Sequence, residues 1–147
     1  MTSINRSALV EYSSEQMFDL VNDIEKYPTY MDGCREAIVL AQSEDELTGK
    51  LVLSKFGIKQ VFTTRNILNR PRSIDMELLE GNFKTFSSRW TFESLAEDAC
   101  KVSLDMEFEF DLGLADYAAA KLLSNSANSL VDSLVARAKK IYGQDSG

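Results

Sequence analysis

The 147-residue sequence contains no histidine. This absence excludes Ser-His-Asp and Cys-His nucleophile activation, HExxH zinc sites and every acid–base relay that needs an imidazole. An enzyme would have to use carboxylates, lysine, tyrosine or cysteine, and no convergent pair of carboxylates falls on the apolar faces of the predicted strands. Because histidine is the commonest proton-transfer residue in catalysis, we expect a protein that is not an enzyme and has no catalytic residues.

Cysteine and proline are scarce, with two of each. Cys34 and Cys100 form no close pair and match no zinc spacing, so we expect no metal site and two reduced thiols packed as small hydrophobic groups. The first residues lack the basic start and apolar block of a signal peptide, and no apolar run approaches the roughly 20 residues that span a bilayer. These absences predict a cytoplasmic protein with at most peripheral membrane contact.

Positive charge is also in deficit, since 16 lysines and arginines face 23 acidic residues and the net charge is −7. Affinity for nucleic acid backbones comes from neutralising phosphates with lysine and arginine, so an acidic chain is a poor general binder of them. We therefore expect no DNA binding. Any contact with RNA has to be made by a local group of cations.

Two periodicities dominate what the sequence does contain. Alternation of apolar and polar residues, clearest in CKVSLDMEFEFD (100–111), predicts about six antiparallel strands between 35 and 111, after a first strand within 3–12. A helical period over 114–143 predicts one long amphipathic helix with an apolar stripe that runs from Ala120 to Ile141.

Between the first strand and the others, the sequence predicts two short helices. Ser13 or Ser14 suits the N-cap of the first helix. Pro28 is expected to end this helix near Tyr27, because the residue before a proline is pushed out of the α region, and to start a second helical turn. The segment 22–34 is thus predicted to form a corner between two helices.

The predicted elements have a simple spatial solution. An antiparallel sheet with one apolar face needs a cover, and a helix of about 28 residues, roughly 42 Å long at 1.5 Å per residue, can lie across it. No linker or repeat interrupts the chain, so residues 1–147 are predicted to form a single α+β domain. Its curved antiparallel sheet of about seven strands would wrap around the C-terminal helix.

The middle of the long helix carries small side chains at 124–129. They suit either close contact between helix and sheet or a gap that a ligand fills, and periodicity does not choose between these alternatives. Ligand pockets are mostly apolar with a few polar groups for orientation, a role that Ser124 and Asn128 would suit. The strand residues expected to face the gap are large: Trp90, Phe92, Met106 and Phe108.

The stretch YPTYM (27–31) gathers semi-apolar side chains at the corner. Tyr27, Tyr30 and Met31 either plug one end of the core or line the mouth of a pocket. We favour a mouth, because a tyrosine ring can be buried while its hydroxyl stays in water, whereas a plug is better made without hydroxyls. Replacing either tyrosine with alanine is then expected to cost little stability.

Four segments, in order over nearly the whole chain, resemble the coenzyme Q-binding START-like family of the polyketide cyclase/START superfamily. They are FDLVNDIEKYPTYMDGC, LLEGNFKTFSSRWTFE, CKVSLDMEFEF and ANSLVDSLVARAKKIYG. The resemblance implies the helix-grip fold, with a hydrophobic tunnel between the sheet and the long helix. Two turns depart from the family pattern, since Asp32 and Asn82 stand where the family usually has proline.

The resemblance implies a first function in which the tunnel holds a hydrophobic small molecule, ubiquinone or a related polyprenyl lipid, in support of respiratory quinone function. No other cofactor is expected. We place this function first because burial of an isoprenoid tail contributes about 0.8 kcal/mol per CH₂ group. The residues predicted to form the tunnel and its mouth are Tyr27, Tyr30, Met31, Trp90, Phe92, Met106, Phe108, Leu123, Ala127 and Leu130.

An alternative comes from a bacterial branch of ribosome association toxins. The resemblance to this branch implies binding to the large ribosomal subunit, a block on subunit joining, and an antitoxin as a further partner. Candidate ribosome contacts are Arg70, Arg72, Arg137, Lys139 and Lys140. Each group also has a simpler possible role. Arg70 and Arg72 suit an ordinary solvated turn, and the three cations of the long helix suit stabilisation of the helix dipole at its C-terminus. A third alternative, a small cyclase or hydrolase of the superfamily, is disfavoured by the missing histidines.

Overall fold

The computed structural model of the protein describes residues 2–110 and 114–143, and in the second range it describes side chains from Tyr117 onwards. A first strand leads into two short helices, six further strands and a long helix. In chain order the elements are β1 (Thr2–Val10), α1 (Ser14–Asn22), a 3₁₀ helix (Ile24–Thr29), β2 (Cys34–Gln42), β3 (Glu46–Lys55), β4 (Ile58–Asn69), β5 (Ser73–Glu80), β6 (Phe83–Ala96), β7 (Ala99–Phe110) and α2 (Leu114–Tyr142).

All seven strands form one antiparallel sheet in the order β1-β7-β6-β5-β4-β3-β2. The strands from β2 to β7 follow one another as a meander. β1 completes the sheet by pairing with β7, so that Ile4 lies opposite Met106. Helix α2 packs against β1, β3, β4 and β7 on the inner side of the sheet. The predicted helix-grip architecture is confirmed.

The alternation predicted for the last strand is also confirmed. Val102, Leu104, Met106 and Phe108 are buried on the inner face of β7, and Lys101, Asp105 and Glu107 are exposed on the outer face. Phe110, the last residue of the strand, is half-buried.

Ser13 is the N-cap of α1, which selects it over Ser14, the other predicted candidate. The amide of Gln16 donates to Ser13 Oγ at 3.1 Å, and the Ser13 amide donates to Gln16 Oε1 at 2.9 Å, which completes a capping box. Met17 and Phe18 are fully buried, and the Phe18 ring packs edge-on against Phe92 at 5.5 Å. The cap therefore starts the helix where its apolar side meets the sheet.

The break after α1 lies earlier than predicted. The chain leaves the α-helical conformation at Asp23, where ψ is 69°, and Pro28 lies inside the 3₁₀ helix that follows. The prediction that the proline sets the break is wrong, because burial decides it. A 3₁₀ helix places residues three apart on the same side, and Ile24 and Tyr27 are both buried there.

Helix α2 buries Leu123, Ala127, Leu130, Leu134 and Ala138 along one side, as the helical period predicts. Ile141 was expected to continue this stripe, but it is 42% exposed.

The last turn of α2 uses Tyr142 instead. The Tyr142 hydroxyl donates to the carbonyl of Gln16 at 3.2 Å, and its ring lies 5.9 Å from that of Tyr12. The last turn of α2 therefore packs against the start of α1 through Tyr142, while Ile141 faces solvent.

Cys34 and Cys100 are both buried and unpaired, as predicted. Burial raises the pKa of each thiol to about 11, so both remain protonated at neutral pH. No helix in the described part of the chain has the length and apolarity needed to cross a bilayer.

Candidate functional site

An apolar cavity lies between the inner face of the sheet and α2. Its volume is about 50 Å³. Leu123, Ala127 and Leu130 of α2 form one side of the cavity, and residues of the sheet, including Leu104 and Trp90, form the other. The small side chains in the middle of α2 therefore border a gap, but only a small one.

Seven of the ten predicted tunnel residues line this cavity: Tyr27, Met31, Trp90, Met106, Leu123, Ala127 and Leu130. Their role in binding a ligand stays a prediction. Tyr30, Phe92 and Phe108 are not among the lining residues. Phe92 packs between Phe18 and Trp90 under α1, and Phe108 belongs to a cluster of rings with Phe83 and Phe110.

The polar groups of the cavity come from elements that the sequence interpretation passed over. Asn22, Thr64 and Asn66 line it. Thr64 Oγ1 donates to Asn66 Oδ1 at 2.8 Å, while the buried Asn22 Oδ1 has no hydrogen-bond partner. Ser124 and Asn128, which we expected in this role, are half-exposed and lie outside the cavity lining.

A signal for the missed residues was present in the sequence of β4. Its even-numbered residues from Gln60 to Asn66 are buried. Three of these four, Gln60, Thr64 and Asn66, are polar. A polar residue on the inward parity of a strand has to find a hydrogen-bond partner when buried, and this marks it as a candidate for a site.

The described side chains that line the cavity are uncharged. No described residue that lines it carries a carboxylate, an amine or a thiol. Burial, followed by the neighbouring Tyr30, Cys34 and Asp23, holds the pKa of Tyr27 well above its usual value, so its hydroxyl stays protonated. Within the described residues, no group of three or more potential metal ligands occurs. The cavity can hold apolar groups and offer a few hydrogen bonds.

Two residues of the YPTYM segment, Tyr27 and Met31, are buried in the wall of the cavity. Tyr27 and Met31 are only 5% and 7% exposed. The Tyr27 hydroxyl donates to the carbonyl of Val21, which has no partner within the helix because it lies in the last turn of α1. We expected a buried hydroxyl to count against a plug, but this partner offsets the cost. The burial of Tyr27 favours a plug at this residue, and its role in binding stays a prediction.

Tyr30 takes a different position from Tyr27. Its ring packs edge-on against Tyr27 at 5.8 Å, and it is half-buried beneath the guanidinium of Arg137, which lies 5.6 Å from the ring centroid. Burial and the nearby Asp23 raise the pKa of the Tyr30 hydroxyl, and Arg137 partly opposes this shift. Arg137 is thus occupied in fixing the corner to α2.

The remaining predicted cations differ in how available they are. Arg70 donates two hydrogen bonds to the Asp19 carboxylate, at 2.9 and 2.8 Å, which offsets its charge. Arg72, Lys139 and Lys140 are exposed. Arg137 is half-buried and Arg70 is paired, so three of the five predicted contacts are fully open to a partner: Arg72, Lys139 and Lys140.

The turn that carries Arg70 and the end of α2 meet the same helix. Arg70 binds Asp19 of α1, and Tyr142 of α2 binds the carbonyl of Gln16, one turn earlier in α1. The turn at Arg70 and the last turn of α2, which are far apart in the sequence, therefore both contact α1.

Residues 10–135 match the family described as polyketide cyclase / dehydrase and lipid transport. The ribosome association toxin RatA of Vibrio cholerae is 43% identical over 144 residues, which cover 98% of this chain and all of the relative. The persistence and stress-resistance toxin PasT of Escherichia coli is 39% identical over 142 residues, covering 97% of this chain and 90% of the relative.

Solved structures give the same fold. The Zhui aromatase/cyclase from Streptomyces superposes with a TM-score of 0.86 at 13% identity, covering 99% of this chain and 98% of that one. An 18 kDa protein of Caulobacter crescentus superposes with a TM-score of 0.71 at 25% identity, covering 97% and 99%. Because the family match and two full-length relatives agree with the helix-grip architecture, the chain belongs to the polyketide cyclase / dehydrase and lipid transport family of START-like proteins.

Proposed function

We propose that this chain is a ribosome association toxin, which binds the large ribosomal subunit in the cytoplasm and blocks subunit joining. The observation that carries the proposal is its end-to-end similarity, at 43% identity, to proteins of that name. The proposal reverses the order that the sequence alone suggested, in which quinone binding came first. The small size of the inner cavity supports this reversal, because ligand sites typically measure about 300–1,000 Å³.

Sucrose-gradient profiles test the proposal directly. Adding the purified protein to joined ribosomes is expected to move material from the joined peak to the free subunits. The shift should grow with protein concentration, because the bound large subunit is withdrawn from the joining equilibrium. An unchanged profile at a molar excess of protein over ribosomes would contradict the proposed function.

The same assay tests the exposed cations chosen from the sequence. If they carry the binding, the triple variant Arg72→Glu, Lys139→Glu and Lys140→Glu should lose the shift, because each reversal replaces attraction to phosphate with repulsion. Lys101→Glu, an exposed cation on the outer face of β7, is the matched control. Arg70 is left unchanged, since its reversal would also break the pair with Asp19.

A second function is supported by the cavity itself. We propose that it opens to hold ubiquinone or a related polyprenyl lipid, with Asn22, Thr64 and Asn66 placed to hydrogen-bond the oxygens of a quinone ring. Met31, Met76 and Met106 line the cavity, and methionine side chains rearrange readily around a ligand. Binding of such a lipid would tie the protein to respiratory quinone function. An antitoxin remains a proposed partner of the first function.

Mass spectrometry of organic extracts from the gently purified protein tests the second function. The wild type is expected to carry a quinone-class lipid, and Ala127→Leu is expected to lose it, because the larger side chain fills the cavity. Overpacking typically costs about 1–3 kcal/mol, so folding of the variant is checked by circular dichroism. Ala120→Leu, on the same helix but outside the cavity lining, is the control. Absence of lipid from the wild type, or equal lipid in both variants, would exclude this function.

A further inference from the structure

The turn between β3 and β4 and the first turns of α2 enclose a groove on the outside of the molecule. We call it the β3–β4 groove and define it by Lys55, Phe56, Ile58, Tyr117, Lys121 and Ser126. Its volume is about 360 Å³, several times that of the inner cavity. None of the cations predicted from the sequence lies in it. The groove is therefore a separate surface.

Phe56 projects from the tip of the turn into solvent. Its side chain is 90% exposed, and its φ of 54° lies in the left-handed region that residues other than glycine seldom adopt. Gly57 follows with a φ of 78°, so both central residues of this two-residue hairpin have positive φ. Asparagine, aspartate or glycine usually takes the first of these positions. The turn thus holds a large apolar side chain in water where a polar residue would suit the backbone better.

A second aromatic ring lies across the groove. Tyr117 of α2 is 73% exposed, and Lys121, one helical turn later, is exposed beside it. On the hairpin, the Lys55 ammonium lies 5.4 Å from the centroid of the Phe56 ring and 2.6 Å from the Asp32 carboxylate. Among the described residues that line the groove, two cations thus face one acid, in a chain whose net charge is −7.

The floor of the groove offers a hydrogen-bonding group that the fold leaves unused. Ser126 is 1% exposed, and its Oγ has no partner. Gly33 leaves room for this hydroxyl, because a Cβ at that position would lie 2.9 Å from Ser126 Oγ. Asn125 lines the same groove and is exposed. A ligand that combines flat rings, polar edges and negative charge fits this set of groups.

We propose that the β3–β4 groove binds a single-stranded segment of ribosomal RNA, with unstacked bases on the rings of Phe56 and Tyr117 and a phosphate near Lys121, since the charge of Lys55 is offset by Asp32. The inference rests on the proposed ribosome association and names the contact that performs it. Unpaired bases stack on aromatic side chains whatever their sequence, and lysines neutralise the backbone that follows.

Two other kinds of partner fit the groove less well. Lysine is depleted in the cores of protein–protein interfaces, whereas two lysines flank this groove. A bilayer surface would use the exposed rings and the lysines, but a flat layer of headgroups would not reach Ser126, which is 1% exposed at the floor of the groove. Single-stranded RNA uses all of these groups.

The test compares the wild type with the double variant Phe56→Asn and Tyr117→Ser. Asparagine tolerates positive φ, so the first change removes the ring and keeps the turn. The paired controls are Leu95→Ser, an apolar residue that is 54% exposed on β6, and Lys101→Glu. Circular dichroism and thermal unfolding establish that every variant is folded.

Fluorescence anisotropy measures binding to a labelled oligouridylate and to a duplex RNA of the same length. The wild type is expected to prefer the single strand, and the double variant to bind it at least tenfold more weakly, because each lost stacking contact is worth roughly five- to a hundredfold. Lys121→Glu is expected to reduce the salt dependence of binding, since it removes one phosphate contact. Both controls should bind as the wild type does. The wild type and the double variant are expected to bind duplex RNA equally. A preference of the wild type for duplex over single-stranded RNA would overturn the proposal.

Sucrose gradients with ribosomes separate failure of this inference from failure of the proposed function. If the wild type dissociates ribosomes and the double variant does so equally well, the groove is not the contact, although the function stands. If the wild type leaves ribosomes joined, but the double variant loses single-stranded RNA binding, the groove binds RNA and the function fails. If the wild type binds neither ribosomes nor RNA, both proposals are overturned.

Vesicles of phosphatidylethanolamine and phosphatidylglycerol provide the last comparison. Loss of vesicle binding in the double variant, with RNA binding unchanged, would assign the groove to a membrane surface and overturn the RNA proposal. Loss of RNA binding with no vesicle binding by either protein supports it.

Discussion

Replacing Leu134 with alanine is expected to lower the free energy of unfolding by roughly 3–5 kcal/mol, which is towards the upper end of the range for buried leucines. Leu134 lies on the buried side of α2, is 1% exposed and does not line the cavity. Its side chain is therefore surrounded by packed neighbours, and its truncation removes these contacts and leaves a new void.

Leu104 provides the matched comparison. It is equally buried, at 1% exposure, but it lines the inner cavity. We expect Leu104→Ala to cost less than Leu134→Ala, because a side chain that already borders empty space has fewer neighbours to lose.

Urea unfolding of the lipid-free protein measures both substitutions, and the unfolding slope should stay constant if the change lies in stability. Leu95→Ala, at a residue that is 54% exposed, should change stability by no more than about 0.5 kcal/mol. A larger loss for Leu104→Ala than for Leu134→Ala would show that the space beside Leu104 is filled in solution.

The second large effect is expected at Tyr27. Tyr27→Ala should destabilise the protein by roughly 3–5 kcal/mol, as is typical of a buried aromatic side chain, instead of the small loss that a pocket mouth predicts. Tyr27→Phe isolates the hydroxyl, and we expect a loss of about 1–3 kcal/mol because the buried Val21 carbonyl is left without a donor. The half-buried Tyr30→Ala is the control and should cost less. A near-neutral Tyr27→Ala would restore the interpretation of this residue as a mouth.

Alkaline pH gives an independent measurement of the same residue. The pKa of Tyr27 is raised in the folded protein, whereas a tyrosine in the unfolded chain has a pKa of about 10. Above that pH the unfolded chain releases the proton while the folded chain retains it. The contribution of Tyr27 to stability is therefore fully present below about pH 10 and is lost as the pH rises further. Tyr27→Phe should make this loss less steep, as measured by urea midpoints at a series of alkaline pH values.

Part of the alkaline loss should remain in the Tyr27→Phe variant. Burial also raises the pKa of Tyr30 and Tyr142, and it raises the pKa of the Cys34 and Cys100 thiols to about 11. All four groups keep their protons longer in the folded protein, so they act in the same direction as Tyr27. An identical pH dependence in the wild type and in Tyr27→Phe would contradict the assigned burial of the hydroxyl.

The order of the two proposed functions rests on similarity to known proteins, and the size of the cavity supports that order for a physical reason. An apolar tunnel was an attractive expectation because burying an isoprenoid tail is favourable. That argument concerns the energy of a filled tunnel, and it does not say whether the tunnel is open. The structure shows a cavity of about 50 Å³ with the buried Tyr27 and Met31 in its wall, so a lipid has first to displace packed side chains.

The sequence by itself determined the elements and much of their orientation. The missing histidines removed whole classes of catalysis, the alternation in β7 identified its buried face, and the period of α2 identified most of its buried side. These features are local, because the spacing of apolar residues along one strand or helix reports only which side of that element avoids water. The predicted sheet wrapped around the last helix followed from their order, and the family resemblance implied that this architecture is the helix-grip fold.

The tertiary structure decided where the elements meet and what lies between them. It brought β1 beside β7, turned the chain at Asp23 instead of Pro28, and gave the Tyr27 hydroxyl a partner on α1. It also set the size of the cavity and placed Asn22, Thr64 and Asn66 in it. Local periodicity cannot supply this information, because whether two buried faces touch or leave a gap depends on the summed volumes and directions of side chains from several elements at once.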